Sequence, residues 1–329
     1  MTKQILLISS ILSVLFSCGN RQSSQSTSAD KTKEERIIVP EFNADSAYVY
    51  TANQVAFGPR VSNTQAHRDC GNYLVSELKR FGAEVYEQEA KLQTYDKQTI
   101  DAKNIIASFN TDNRKRVLLC AHWDSRPFAD HDHDPANYNK PIDGANDGAG
   151  ACGVLLEIAR QAGINRASIG IDIILFDAED RGAPTFDTRY ERGWCLGSKY
   201  WAENPHIPDY TALYGILLDM VSAKNARFYR EYFSVLYANH IVKKVWEKAQ
   251  TLGTDNYFIN EYGGAVEDDH LPINRIRKIP CIDIIQHEPE NPTGFGDYWH
   301  TINDTMDEVS KETMKAVGQT VMEVVYNEK

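Results

Sequence analysis

Hydrophobic positions along the chain follow two periods. Ala66, Cys70, Tyr73, Leu74, Leu78 and Phe81 recur at three- and four-residue spacing, and Gly82 follows them, which predicts a helix over 64–81 with a glycine stop. Residues 85–90 alternate between apolar and polar side chains and predict a strand, as do 104–109 and 117–121. Ala151, Val154, Leu155, Ile158 and Ala162 then return to helical spacing over 149–162. Residues 169–176 form a nearly continuous apolar run, the pattern of a strand covered on both faces, and 212–218 and 281–285 share it. Two more helices are predicted over 241–252 and 309–326, the second with Met314, Val317, Val321, Val324 and Val325 inward. Buried strands interleaved with amphipathic helices predict an α/β fold, a three-layer α/β/α sandwich around a mixed, mostly parallel central sheet. No repeat and no Pro/Gly/Ser-rich linker divides residues 37–329, so one domain is expected there.

The first residues break this pattern. Lys3 precedes an apolar run at 5–16 that is too short to span a bilayer and has the form of a signal-peptide core. Leu15-Phe16-Ser17-Cys18 resembles a bacterial lipobox. That resemblance implies a signal peptide over 1–17, a diacylglyceryl anchor on the Cys18 sulfur, and an exported lipoprotein of the periplasm or cell envelope. A plain signal peptide with an incidental cysteine is the alternative. Residues 18–36 are rich in Ser, Gln, Thr, Lys and Glu and read as a flexible tether.

Composition narrows the partners. The chain has 329 residues, 42% hydrophobic and 25% charged, as in ordinary globular proteins. Its 46 acidic against 35 basic side chains give a net charge of −11, which argues against nucleic acid as a partner, since phosphate binding needs a basic face. Apart from Cys18, the cysteines are Cys70, Cys120, Cys152, Cys195 and Cys281, with no CxxC pair, so neither a zinc finger nor a disulfide framework is expected. Oligomeric state is not written in the sequence; a compact monomer is the default expectation.

Candidate chemistry gathers where strands end. The run 117–121 leads into His122-Trp123-Asp124, 169–176 into Asp177-Ala178-Glu179-Asp180, and 213–218 into Asp219. In open α/β sheets, ligands bind just beyond the carboxyl ends of the strands. Gly144-Ala145-Asn146-Asp147 and Trp299-His300-Thr301 add loop-borne polar groups. A histidine with two or three carboxylates suits a catalytic zinc with an open position, which would polarise a carbonyl. Glu179, beside the candidate ligand Asp180, is a candidate general base. Asp268-Asp269-His270 supplies another acidic pair, and close carboxylates tend to share a proton.

Three other patterns read less well. Gly148-Ala149-Gly150-Ala151-Cys152-Gly153 fits G-x-G-x-x-G literally, but a loop with Pro141 and Asp143 precedes it rather than a strand, so the dinucleotide context is missing. Asp130-His131-Asp132-His133-Asp134 reads as a solvated charged loop ending at Pro135. Cys120 and His122 are neighbours on one strand and cannot form a nucleophile–base pair across a site, and no G-x-S-x-G elbow is present.

The ordered set His122-Trp123-Asp124, Gly144-Ala145-Asn146-Asp147, Phe176-Asp177-Ala178-Glu179-Asp180, Leu218-Asp219-Met220, Asp268-Asp269-His270-Leu271-Pro272 and Trp299-His300-Thr301 resembles the zinc-dependent, animal-type glutaminyl cyclases. The likeness covers roughly residues 42–326. It implies the zinc aminopeptidase fold and one zinc ion per subunit held by Asp147, Asp180 and His300. It also implies Glu179 as general acid/base, with Asp219 and Asp268 as the acidic pair beside it. Phe295, Trp299, Trp194 and His122 take substrate-binding positions, and the substrates are peptides or proteins with N-terminal glutamine. Two departures stand out: Asp180 replaces the glutamate of animal enzymes, and the 181–192 loop differs in length, which loosens the match of Trp194. The rival reading is a zinc aminopeptidase of the same fold, because His122 and Asp219 stand where that family binds a second zinc. The 268–272 segment, Phe295 and the Trp299-His300-Thr301 run favour the cyclase.

Overall fold

The computed structural model describes residues 38–190 and 193–328. The expected signal peptide, the expected anchor Cys18 and the expected tether lie outside the described residues. Among the described residues, eight strands follow in chain order: β1 (Glu84–Gln93), β2 (Thr99–Phe109), β3 (Arg116–His122), β4 (Gly170–Phe176), β5 (Gly215–Asp219), β6 (Phe228–Arg230), β7 (Phe258–Tyr262) and β8 (Cys281–Ile285). Six of them form the central sheet in the order β1-β2-β4-β3-β5-β8, and β6 pairs with β7 alone. β4, β3, β5 and β8 run parallel, while the β1–β2 hairpin joins β4 antiparallel. The sheet is mixed and mostly parallel, as the apolar runs predict.

The helices are α1 (Ala44–Val55), α2 (Gln65–Arg80), α3 (Ala151–Ile164), α4 (Leu196–Glu203), α5 (Tyr232–Leu252), the short turn α6 (His270–Pro272) and α7 (Lys311–Tyr326). Alternate strand residues face opposite layers. Val117, Leu119, Ala121, Ile171, Ile173 and Leu175 pack with α1, α2, α3, α5 and α7, whereas Leu118, Cys120, Ile174 and Phe176 pack with Trp201 of α4 and Ile273.

The elements begin and end for local reasons. α2 starts where the Thr64 side chain accepts the His67 N–H, and it stops at Gly82, whose φ of 88° suits glycine. α1 has no clear apolar stripe because Thr51 and Gln54 are among its buried residues, so the periodicity misses it. α4 is also missed, being eight residues long with Gly197 and Ser198 facing inward. α5 begins nine residues before the predicted start at 241, and its early turns expose Tyr232, Leu236 and Tyr237 before a kink at Ala238.

Because β3, β4 and β5 are parallel, their carboxyl ends meet at one edge, with His122 level with Phe176. That edge is where the candidate residues collect.

Candidate metal and catalytic site

Each candidate ligand is held by backbone turns of unusual conformation. Ala178 has φ 56°, Met220 48° and His300 54°, all left-handed and all at or beside site residues. Strained backbone of this kind persists where the surroundings over-determine it. The Asp124 carboxylate accepts the N–H groups of Glu179 and Asp180 at 3.1 and 3.2 Å, fixing the turn that follows β4. From behind, His67 Nε2 lies 2.9 Å from Asp177, which also accepts the N–H groups of Lys103 and Ala178 at 2.7 Å.

The loop carrying Asp147 is held in a similar way. Asp304 accepts the N–H groups of Asn146 and Asp147 at 2.8 and 3.0 Å, and Asn146 Oδ1 accepts Ser222 N–H and Oγ–H. Gly148 has φ 97°, and a Cβ there would come within 2.7 Å of Asp124 O and 2.9 Å of the His122 ring. Gly150 and Gly153 likewise abut the Ser222 and Thr51 hydroxyls. Close packing accounts for the glycines of the G-x-G-x-x-G string.

Asp147, Asp180 and His300 converge. His300 Nε2 is 3.3 Å from Asp180 and 3.5 Å from Asp147, and the three donor atoms lie within 4.8 Å of one another. All three residues are buried. The Asp147 carboxyl is pushed up to about 6, first by burial and then by Asp180. Burial opposes ionisation of Asp180 too, but His300 and Arg126 outweigh it and hold that carboxyl below its ordinary value. Among the described residues, none donates a hydrogen bond to buried Asp180 Oδ2. Two buried carboxylates, one of them with an unsatisfied oxygen, and an imidazole form a donor set that fits zinc with room for a further ligand.

Asp147 also faces a second group. His122 Nε2 is 3.1 Å from Asp147 and 3.2 Å from Asp219, and its Nδ1 is 3.4 Å from Asp124. Burial disfavours the imidazolium, yet contacts with Asp124, Asp147 and Asp219 raise its pKa well above the ordinary value. His122 is 1% exposed and lies behind Asp147 and Asp219 rather than on the cavity wall, so it meets carboxylates where the sequence suggests contact with substrate.

Glu179 is half-buried and opens on a cavity of about 770 Å³. Its Oε1 accepts the Cys195 thiol at 3.2 Å, and donor atoms of Glu179, Cys195 and Asp268 lie within 4.8 Å of one another. Burial, then the nearby Asp180 charge, raises its pKa well above the ordinary carboxylate range. Asp268 is raised to about 7, by burial first and by Asp219 second. Beneath Asp268, the His270 ring sits 3.3 Å from Glu231 and 3.8 Å from Asp283.

Trp194, Phe295 and Trp299 line the same cavity. The Phe295 and Trp299 rings are 4.7 Å apart, and Trp299 stacks on His300 at 3.8 Å. Trp194 stands 5.9 Å from the His300 ring.

Several residues that shape the site are not legible as such in the sequence. Arg126, Cys195 and Asp304 carry no local signal. Asp283 does, as a lone carboxylate inside an apolar run. The 130–134 segment is a correction: His133 and Asp134 are exposed, but Asp130 and Asp132 are buried. Asp130 pairs with Arg126 and lies 3.4 Å from His300 Nδ1, because the loop folds inward against the site.

A mixed α/β sheet with buried carboxylates and imidazoles at its carboxyl edge defines the class of zinc exopeptidase-like α/β proteins. The chain belongs to peptidase family M28, whose family model matches residues 104–325. A solved Zn-dependent exopeptidase from Parabacteroides distasonis is 60% identical, with a TM-score of 0.88 over 88% of this chain and 100% of that one. The glutaminyl cyclase of Tannerella forsythia is 56% identical, with a TM-score of 0.87 over 88% and 100%. The bovine glutaminyl-peptide cyclotransferase is 26% identical over 64% of this chain, which spans 62% of the bovine protein's length. These relatives agree with the resemblance carried by the motif set.

Proposed function

We propose that the chain is a zinc-dependent glutaminyl cyclase, converting N-terminal glutamine of peptides or proteins to pyroglutamate with release of ammonia. The observation that carries this reading is the placement of Glu179 and the acidic residues Asp219 and Asp268 on one cavity with the aromatic wall of Trp194, Phe295 and Trp299. The glutaminyl cyclases among its relatives support it.

Zinc held by Asp147, Asp180 and His300 would supply a Lewis acid for the γ-carbonyl oxygen. The aromatic wall excludes water and selects the folded glutamine conformer, and both reacting groups belong to one residue, so positioning supplies much of the rate. Asp219 and Asp268 hold the α-amine. Glu179 takes a proton from it, the amine nitrogen bonds to the γ-carbon, and Glu179 passes the proton to the amide nitrogen. The carbon–nitrogen bond breaks, ammonia leaves and a five-membered ring remains. No water is consumed. Burial, and after it the nearby Asp180 charge, raise the Glu179 pKa, which makes its carboxyl a better proton acceptor than an ordinary carboxylate.

Mass spectrometry of a Gln-initiated peptide incubated with the zinc-replete protein tests the reading. Ammonia loss with the peptide bond intact is expected, falling by about 10²- to 10⁴-fold in Glu179→Gln. Release of free glutamine would instead support the aminopeptidase, with His122 and Asp219 binding a second zinc. The same proposal includes export as a lipoprotein anchored through Cys18, with the catalytic domain over 37–329. Metabolic palmitate labelling that persists in Cys18→Ser would refute the anchor.

A further inference from the structure

Arg126 is a fully buried arginine that the proposed chemistry does not use. Its guanidinium forks onto Asp130 at 2.8 and 2.7 Å. The remaining N–H groups donate to the backbone carbonyls of Asp180 and Gly182 at 3.1 Å and Ala183 at 3.3 Å, while Nη1 lies 3.8 Å from the Asp180 carboxylate. Its flat face lies 4.4 Å from the Trp194 ring. Trp194 also packs over Gly182, where a Cβ would come within 2.5 Å of the indole.

Asp130 completes the arrangement. Its carboxylate accepts the Thr185 N–H at 2.8 Å, and its carbonyl accepts the Thr185 hydroxyl at 3.1 Å. His300 Nδ1 lies 3.4 Å away, and the backbone reinforces that contact through His131 N–H to His300 O at 3.1 Å. One ion pair therefore touches Asp180 and His300, the start of the segment after Asp180, and Trp194 near its end. A buried ion pair is often replaceable by apolar residues at no loss of stability. Burying a five-donor fork against this many partners is better explained by the geometry it imposes.

We propose that the Arg126–Asp130 pair is a positioning device that presents Asp180 and His300 to the metal and fixes Trp194 as the pocket wall. It links metal affinity to substrate fit. Lysine cannot replace Arg126, because a single ammonium cannot serve a bidentate carboxylate, three carbonyls and an indole face together. The inference rests on the zinc reading of the site, and its test separates the two.

The test uses the holoprotein, with zinc affinity measured by chelator competition and Trp194 accessibility by fluorescence quenching, assigned by difference against Trp194→Phe. Asp130→Asn keeps the shape but withdraws the charge from His300, and should weaken zinc by about 10- to 100-fold. Arg126→Lys should weaken zinc and open Trp194 to quencher, and KM for a Gln-initiated peptide should rise more than kcat falls. If single variants fold poorly, Arg126→Met combined with Asp130→Leu replaces the pair by apolar groups. That double variant should melt cooperatively yet bind zinc weakly. Variants that lose only thermal stability, with zinc affinity within about twofold of wild type and unchanged Trp194 quenching, overturn the proposal. Failure of the wild type to take up zinc overturns the reading of the site, and this inference with it.

Discussion

At the residue scale, the site depends on positions where one atom more or one charge fewer is decisive. Gly148 combines a φ of 97° with a packed flank against Asp124 O and His122. Gly148→Ala should therefore cost about 3 kcal/mol, seen as a lowered thermal midpoint; an unchanged midpoint would mean that the loop relaxes freely. Asp283 makes a different kind of demand. Burial, followed by the charges of Asp268 and Asp219, pushes its carboxyl well above the ordinary value. The folded state thus holds a proton that the unfolded chain releases above about pH 4, so this group erodes stability as pH rises through and beyond that value. Asp283→Asn should be nearly neutral in urea melts near pH 4 and increasingly stabilising toward pH 7. A difference that does not vary with pH would contradict that assignment.

At the element scale, helix ends carry the site's outer supports. Glu231 caps α5, accepting the N–H groups of Phe233 and Ser234 at 2.8 and 2.6 Å, and it also accepts the Val266 N–H at 3.1 Å from the 264–268 cavity wall. It further contacts His270 beneath Asp268. Glu231→Ala removes a cap and strands a buried imidazole, so a loss of about 2 kcal/mol or more is expected by urea denaturation. A loss below about 0.5 kcal/mol would show that the cap is redundant. The buried strands were legible because β4, β5 and β8 have nearly unbroken apolar runs. α1 and α4 were not, since the residues they bury include Thr51, Gln54, Gly197 and Ser198, which carry no apolar period.

At the scale of the whole molecule, several carboxylates packed at one sheet edge repel one another until a cation joins them. Asp147 and Asp268 both lie above their ordinary pKa values, first through burial and then through that repulsion. Stripping zinc with a chelator should lower the thermal midpoint by several degrees, and added zinc should restore it. Saturation at 100 times Kd corresponds to about 2.7 kcal/mol. A midpoint indifferent to chelator would count against a resident metal.

The sequence by itself determined the layered α/β class, the strand ends that bear His122, Glu179, Asp180 and Asp219, and the ordered motif set that matches the glutaminyl cyclases. Those features are local: apolar period reports burial, and motif order follows the chain. Only the tertiary structure decided which polar groups meet. It folded Asp130 inward onto Arg126, placed His122 behind the carboxylates, set Cys195 on Glu179 and brought Asp304 under Asp147 across 157 positions. Such contacts depend on loop paths and left-handed turns that no local pattern encodes.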